Sequence, residues 1–180
     1  MRDAIAAFSG VEHRLEPAGE ISGVIFINDS IATTPSRTIA ALMAMERPVA
    51  LIAGGYDKHL PFDEMARAAL GKVHTVALVG VTADKIEQAF ADAADRAGVQ
   101  PPKIIRADTF REAVQAARLA ARPGDAVLLS PACASYGLFR NFEERGRTFK
   151  QLVSEFTAES AAESAAESAA EAGEAREARE

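Results

Sequence analysis

Short apolar runs alternate along this chain with longer stretches in which apolar residues recur every three or four positions. The apolar runs occupy residues 24–27, 49–53, 75–79, 104–105 and 126–129. The stretches with helical spacing occupy residues 35–45, 62–70, 83–97, 110–121 and 141–156. Buried strands that alternate with helices are typical of a mainly parallel sheet covered on both faces. We therefore predict an α/β fold, a three-layer Rossmann-like domain.

Two segments precede the first buried strand. Within residues 13–29, two extended runs around residues 17–19 and 22–23 predict a β-hairpin that leads into this strand. Residues 1–10 have two apolar residues three apart and end in a glycine, without a capping residue before them. We expect these ten residues to be the end of a helix that belongs to a preceding domain. The domain itself is expected to span residues 11–156.

The C-terminal tail, residues 157–180, repeats Glu-Ser-Ala-Ala and has no apolar residue larger than alanine. Alanine and glutamate favour a helix, but such a helix has no face to bury, so a solvated helix and disorder both remain open. So do two roles, a non-functional extension and an interaction tail. Seven Glu and two Arg in the tail contribute −5 to the net charge of −6, which leaves −1 for the rest of the chain.

Composition excludes several classes of protein. The nearly neutral body and the acidic tail lack the basic patch of a nucleic-acid-binding protein. A single cysteine, Cys133, cannot form an internal disulfide and fits a reducing compartment. No apolar stretch approaches the roughly 18 residues that suggest a membrane span, and the N-terminus does not resemble a secretory signal. We therefore expect a soluble cytoplasmic protein with no nucleic-acid or membrane partner.

The first candidate site follows the strand at residues 24–27, where the chain reads Asn-Asp-Ser-Ile-Ala-Thr-Thr-Pro. Ligands bind open α/β sheets at the carboxyl ends of the strands. A carboxylate there, Asp29, can accept hydrogen bonds from a sugar hydroxyl or hold the water shell of a cation, so we expect it to contact a ligand. Thr33, Thr34 and Pro35 also suit the start of a helix, and capping alone would explain the threonine and the proline.

The second candidate follows the strand at residues 49–53 and reads Gly-Gly-Tyr-Asp-Lys. Paired glycines allow a close approach of the backbone to a ligand, and Lys58 could hold a carboxylate or phosphate. The segment does not match a Walker A loop, and an ordinary surface turn is the alternative.

The third candidate follows the strand at residues 126–129, where small residues leave room for a ligand. Ser135 could present its hydroxyl and its N–H at the turn, close to a helix start that favours anions. Cys133 is more typical of a packed turn than of a nucleophile.

Outside these three segments, Arg14 could reach a nucleotide or be a plain surface charge. The three histidines lack metal-ligand spacing, and we expect no metal site in this chain.

Taken together, three segments in this order resemble the C-terminal domain of the Mur ligase family of peptidoglycan synthesis, and within that family the D-glutamate-adding type. The segments read GVEHRLEPAGEISGVIFINDSIATTPSRTIAAL, LIAGGYDK and LLSPACASYGLFRNFEERGRTF. The resemblance covers about residues 5–153. Other members of the family usually carry a histidine-containing segment where this chain has NDSIATTP.

The resemblance implies an ATP-dependent ligase that adds D-glutamate to UDP-N-acetylmuramoyl-L-alanine through an acyl phosphate. It implies a D-glutamate pocket formed by Thr33, Lys58, Ser135, Tyr136 and Phe142. It also implies nucleotide contacts from Arg14, Asn28 and Asp29, with Asp29 directed towards the ribose.

The chain departs from the family pattern at Ile31, because the common form reads DSKAT and has a lysine there. The P-loop, the Mg²⁺ ligands and the UDP-binding domain of the family have no counterpart in this sequence. We therefore expect ATP phosphates and Mg²⁺ to bind the missing central domain, of which residues 1–10 would be the remnant, and no catalysis by this chain alone. Two alternatives remain open, a related ligase for another amino acid such as L-glutamate and a non-catalytic binding module.

Overall fold

A computed structural model describes the backbone of residues 11–177 and the side chains up to 166, except that of residue 164. The strands are β1 (Glu16–Ile21), β2 (Val24–Asn28), β3 (Val49–Ala53), β4 (Val73–Val79), β5 (Lys103–Ala107) and β6 (Ala126–Leu129). The helices are α1 (Pro35–Ala44), α2 (Asp63–Ala69), α3 (Ala83–Ala97), α4 (Phe110–Ala120) and α5 (Phe142–Glu177). The predicted helix remnant at residues 1–10 lies outside the described residues.

The six strands form one sheet in the order β1-β2-β6-β3-β4-β5. All neighbouring strands are parallel except β1 and β2, which form an antiparallel hairpin. The predicted α/β fold is confirmed. The hairpin differs from the prediction in one respect, because its second strand, β2, is also the first strand that pairs in parallel. Because β6 lies between β2 and β3, the carboxyl ends of these three strands are adjacent at one edge of the sheet.

The sheet separates two apolar cores. On one face, α1, α2 and α3 contribute buried side chains such as Leu42, Met65 and Phe90. On the other face, Val114 of α4 and Phe149 of α5 are fully buried. All five residues of β3 are buried, because this central strand has a helical layer on each side. Burial on both faces explains its continuous apolar sequence.

The largest difference from the predicted elements in the sheet is at β5, which is five residues long where the pattern indicates two. β5 is an edge strand, and two of its residues, Lys103 and Arg106, are exposed. Arg106 donates from Nε to Glu87 of α3 at 2.8 Å. Charged side chains are common on edge strands, where they discourage pairing with other chains. They also interrupt the apolar run on which the sequence prediction depends.

Helix α5 continues without a break from the core into the Glu-Ser-Ala-Ala tail. Phe156 is the last large apolar residue of the helix and is 3% exposed. Beyond it, Ser160 makes one exposed contact with Ser22, 3.4 Å between the hydroxyl oxygens. Within the described residues, the backbone of the tail is helical up to residue 177. Within the residues that the structure describes, no helix is both long enough and apolar enough to cross a membrane.

Removal of residues 158–180 is expected to change the melting temperature by no more than about 3 °C, because the described tail side chains bury no core. Thermal unfolding of the truncated and full chains checks this. Phe156→Ala in the full chain serves as the matched comparison and should destabilise by about 3 kcal/mol, since it removes a buried aromatic ring. A truncation that lowers the melting temperature as much as Phe156→Ala would show that the tail packs against the domain.

Candidate functional site at the carboxyl ends of three strands

The three predicted loops are joined by backbone hydrogen bonds. Asp29 donates its N–H to the carbonyl of Leu129 at 2.8 Å, which links the ends of β2 and β6. Gly54 donates to the carbonyl of Pro131 and Tyr56 to that of Ala134, each at 2.9 Å, which links the ends of β3 and β6. The candidate segments, up to 100 residues apart in sequence, therefore form one surface.

Asp29 lies at the base of this surface and is 4% exposed. Its Oδ2 accepts from the Ser130 hydroxyl at 2.7 Å, and its Oδ1 accepts from the N–H of Leu15 at 3.3 Å. Burial raises the pKa of the Asp29 carboxyl, and these two hydrogen bonds oppose the shift. The positive charges of Arg14 and Arg37 oppose it as well. A carboxylate can accept about four hydrogen bonds, so Asp29 keeps acceptor capacity for a ligand hydroxyl.

A pocket of about 330 Å³ opens beside Asp29. Its walls include Arg14, Ile31, Arg37, Ala40 and Ala41. The predicted nucleotide residues Arg14 and Asp29 are thus brought together. Arg37 was missed by the sequence analysis, and its only signal is its position in the first turn of the helix that follows Asp29.

Asn28 is placed differently from the other predicted nucleotide residues, because it is completely buried and does not line the pocket. Its Nδ2 lies 3.0 Å from His13 Nδ1 and 2.9 Å from a carboxylate oxygen of Glu16. Its Oδ1 accepts from the N–H of Ser30 at 3.2 Å. In this arrangement Asn28 links the end of β2 to residues 13–16. This buried position does not favour direct contact with a nucleotide.

The Gly-Gly loop after β3 needs both glycines. Gly54 has a φ of +109° and Gly55 a φ of +144°, which L-residues with a side chain rarely adopt. A Cβ on Gly54 would overlap the carbonyl oxygen of Val79, and one on Gly55 would lie 2.5 Å from the carbonyl oxygen of Ala134. Because neither residue has a Cβ, the loop packs tightly at the carboxyl end of β3, and the chain continues from there to Lys58.

Lys58 and Thr33 come together as predicted for a common pocket. The exposed Lys58 ammonium donates to the carbonyl of Thr33 at 3.1 Å. Tyr56, two residues before Lys58 in the chain, stacks edge to face on Tyr136 with ring centroids 5.9 Å apart, and the two tyrosines are 49% and 59% exposed. An ammonium beside exposed aromatic rings can bind an anionic ligand that also has an apolar part.

Ser135 and Phe142 contribute more to the packing that supports this surface than to its exposed side chains. Ser135 is 4% exposed, and its carbonyl accepts from the N–H groups of Leu138 and Phe139. Phe142 is half-buried and stacks edge to face on His13, with centroids 6.0 Å apart. The structure therefore pairs Lys58 with Thr33, buries Ser135, and sets Phe142 against His13.

Cys133 is 2% exposed, and its Sγ lies 3.3 Å from the Thr82 hydroxyl. Burial raises the pKa of the Cys133 thiol, which disfavours the thiolate that a nucleophile requires. The geometry agrees with the prediction of a packed turn.

Arg145 is the second residue that the sequence analysis left without a role. It is 2% exposed, and burial lowers the pKa of its guanidinium to about 10, so the group stays charged at neutral pH. Its Nε and Nη2 donate to the hydroxyl and carbonyl of Ser30 at 3.0 and 2.9 Å, and its Nη1 donates to the carbonyl of Cys133 at 3.1 Å. Arg145 thus joins the loops after β2 and β6.

Glu12, His13 and Glu16 place possible metal-ligand atoms within 4.8 Å of one another. The ammonium of Lys150 lies 2.9 Å from both carboxylates and supplies the positive charge there. The group is therefore an ion-pair cluster that attaches the segment before β1 to α5.

The family model for the Mur ligase glutamate ligase domain matches residues 13–133. The UDP-N-acetylmuramoylalanine–D-glutamate ligase of Clostridium novyi is 49% identical over 154 residues, 86% of this chain and 33% of that protein. The enzyme of the same name from Symbiobacterium thermophilum is 52% identical, over 85% of this chain and 32% of its own length. The chain thus spans about a third of the length of these curated relatives.

Among solved structures, a murein peptide ligase from Psychrobacter arcticus superposes with a TM-score of 0.54. It is 16% identical, and the match covers 82% of this chain and 32% of that one. At this identity the likeness concerns the fold alone.

Proposed function

We propose, since this chain belongs to the Mur ligase family, that it forms the glutamate-binding part of an ATP-dependent amide ligase that adds D-glutamate to UDP-N-acetylmuramoyl-L-alanine. This chain matches about one third of the length of the relatives. We expect the whole reaction to need a counterpart of the other two thirds, and this chain to act together with it. The relatives carry this reaction in their names, and the chain aligns with them over most of its length.

The observation that carries the proposal is that an exposed polar cluster and a polar pocket lie at the same edge of the sheet. One contains Lys58 beside Thr33 and the exposed tyrosine pair, and the other contains Asp29 beside Arg14. A ligase of this type must hold an amino acid and a nucleotide at the same time. Strand ends that are adjacent in space but distant in sequence supply both.

In the proposed reaction the terminal phosphate of ATP passes to the carboxylate of the UDP-linked substrate, which gives an acyl phosphate and ADP. The amine of D-glutamate then attacks the acyl carbon, loses a proton, and expels inorganic phosphate as the amide bond forms. Within this chain, the Lys58 ammonium would pair with a glutamate carboxylate and orient the amine. Asp29 would accept a hydrogen bond from a nucleotide hydroxyl.

Mg²⁺ is not expected at this edge of the sheet. The Asp29 carboxylate is already hydrogen-bonded to Ser130 and Leu15, and guanidinium groups share its pocket, whereas a magnesium site needs several free oxygen ligands. We propose that the metal and the ATP phosphates bind the portion of the ligase outside this chain. Because ATP and UDP-linked precursors are made in the cytoplasm, we also propose a cytoplasmic enzyme that serves wall synthesis and, through it, cell shape and division.

Replacement of Lys58 with alanine is expected to raise the KM for D-glutamate about 10- to 100-fold, the size of a lost charge-assisted contact. The measurement uses this chain in place of the matching segment of the Symbiobacterium thermophilum relative, with phosphate release as the readout. Lys103→Ala, an exposed lysine of β5, is the control and should leave KM unchanged.

The comparison of D- and L-glutamate in the same assay separates the open alternatives. Turnover with L-glutamate alone would identify a related ligase for another amino acid. No turnover with either amino acid, in a chimera that is folded, would favour a non-catalytic binding module. An unchanged KM in Lys58→Ala would remove this residue from the pocket.

A further inference from the structure

We infer that Thr82 is a positioning residue of the proposed ligase, whose buried hydroxyl fixes the lysine loop, the segment of residues 54–58 that carries Lys58. The inference rests on the proposed function, because it assumes that Lys58 binds a glutamate carboxylate. It adds the end of β4 to the three strand ends that form the candidate site.

The first observation is that the Thr82 hydroxyl does not make the local hydrogen bond that its position suggests. Thr82 is the N-cap of α3, where a threonine hydroxyl usually accepts from an N–H of the first helical turn. The described first turn of α3 contains no such capping hydrogen bond, although Thr82 is completely buried. The hydroxyl instead contacts the lysine loop, so a contact between distant residues takes the place of the local one.

The second observation is that this hydroxyl binds both backbone polar groups of Gly55. It accepts from the Gly55 N–H at 3.1 Å and donates to the Gly55 carbonyl at 3.3 Å, the same distance at which Cys133 Sγ lies. The N–H groups on either side, those of Gly54 and Tyr56, donate to carbonyls of the loop after β6. Because β3 lies between β6 and β4, the lysine loop is held from both neighbouring strand ends.

The third observation is that the lysine loop and the loop after β4 touch through backbone atoms. A Cβ added to Gly80 would lie 3.0 Å from the Cα of Gly55, and one added to Gly54 would overlap the carbonyl oxygen of Val79. Close-packed contacts of this kind transmit small displacements. A shift of the loop after β4 would therefore also move the lysine loop.

Helix α3 supplies a second link to the lysine loop. The ammonium of Lys85, in the first turn of α3, pairs with the carboxylate of Asp57. The hydrogen bond from Lys85 lowers the pKa of the Asp57 carboxyl, which also accepts from the N–H of His59 at 2.7 Å. The Lys85 side chain is exposed, and exposed ion pairs contribute little stability. The buried Thr82 hydroxyl is therefore the stronger of the two links.

These contacts determine where the Lys58 ammonium lies. A charge-assisted contact with a carboxylate depends on distance and direction, and a misplacement of about 1 Å in a substrate-binding group can cost up to about 100-fold in rate. Loss of the Thr82 hydroxyl removes the acceptor of the Gly55 N–H, three residues before Lys58, and lets the loop shift. Thr82 thus acts on D-glutamate through Lys58 and does not touch the amino acid itself.

The test replaces Thr82 with valine, which has a similar shape but no hydroxyl, in the chimera with the Symbiobacterium thermophilum relative. The KM for D-glutamate is expected to rise about 5- to 20-fold, while the KM for ATP changes less than about twofold. Thr82→Ser keeps a hydroxyl and should hold the KM for D-glutamate within about threefold of the original value.

Thr109→Val is the matched control. Thr109 is the N-cap of α4, and its hydroxyl does accept from the N–H of Glu112 in a capping box. The variant should therefore lower the melting temperature through loss of the cap and leave both KM values unchanged. A rise in the KM for D-glutamate equal to that of Thr82→Val would overturn the inference, because general destabilisation would then explain both.

A double-mutant cycle separates action through Lys58 from an independent effect. In the Lys58→Ala chimera, Thr82→Val should raise the KM for D-glutamate by less than about twofold further, because the ammonium that Thr82 positions is gone. Effects of the two substitutions that multiply in full would overturn the inference. An unchanged KM in Thr82→Val alone would do so as well.

Amide hydrogen exchange in the 180-residue chain tests the link without catalysis. The Gly55 amide should exchange about tenfold faster or more in Thr82→Val, and at nearly the original rate in Thr82→Ser. Unchanged exchange in the valine variant would overturn the inference.

The failure of the proposed function gives a different result. If the folded chimera does not turn over D-glutamate, or if Lys58→Ala leaves the KM unchanged, the role of Lys58 falls and that of Thr82 falls with it. If Lys58→Ala raises the KM and Thr82→Val does not, only the inference about Thr82 falls.

Discussion

Gly54→Ala is expected to destabilise the domain by about 3–5 kcal/mol, from the sum of an unfavourable backbone conformation and overpacking. The backbone at Gly54 has a φ of +109°, and an added Cβ would overlap the carbonyl oxygen of Val79. That oxygen belongs to the end of β4 and cannot rotate away as a side chain would. Thermal or urea unfolding should show a fall in melting temperature of roughly 10 °C.

Gly71→Ala is the matched control for this prediction. Gly71 also has a positive φ, +79°, but no atom lies within 4 Å of the position of an added Cβ. The substitution should therefore carry only the conformational penalty, roughly 1–2 kcal/mol. Similar losses in the two variants would mean that the close approach of β3 and β4 at Gly54 relaxes freely, and the steric argument would fail.

Arg145→Ala is expected to destabilise the domain by about 3 kcal/mol and to loosen the binding surface. The change leaves the carbonyls of Ser30 and Cys133 without a donor in a buried site, and it opens a cavity. Removal of a buried charge offsets part of this loss. Amide hydrogen exchange should increase at Asp29 and Tyr56, whose N–H groups donate to the end of β6 and to the loop after it.

Two further variants test the role of Arg145. Arg147→Ala changes an exposed arginine two residues along the same helix and should stay within about 0.5 kcal/mol of the original stability. Arg145→Lys keeps the charge but not the planar fork, so it should fall between the original residue and alanine. A lysine variant as stable as the original would show that the charge, and not the three directed hydrogen bonds, is what matters.

The elements in the middle of the domain follow closely from the sequence. The runs at residues 49–53 and 126–129 are strands with the predicted bounds, and residues 83–97 form a helix with the predicted bounds. These elements are buried on one or both faces, so the positions of their apolar residues correspond to the faces that are buried. The edge strand β5 was predicted too short, because a half-exposed strand tolerates charged residues that break the pattern.

The candidate site shows a similar division. Four site residues could be predicted because they follow strands or belong to recognisable motifs, and they lie at one sheet edge. They are Asp29, Arg14, Thr33 and Lys58. Their roles in binding stay predictions. Asn28 belongs to the same motif, yet its burial against His13 could not be seen in the motif itself.

Sequence alone thus determined the α/β fold, most of the strands and helices, and the three polar segments that follow strands, because local spacing and turn chemistry are properties of neighbouring residues. Tertiary structure decided which segments meet. The position of β6 between β2 and β3 joins loops from distant parts of the chain, and it turns Arg145 into a buried link between them. The fold of Arg37 back onto Ile31 is likewise invisible in the sequence, because an arginine in a first helical turn is usually a solvated charge. Contacts between distant residues depend on strand order and packing, which no local pattern encodes.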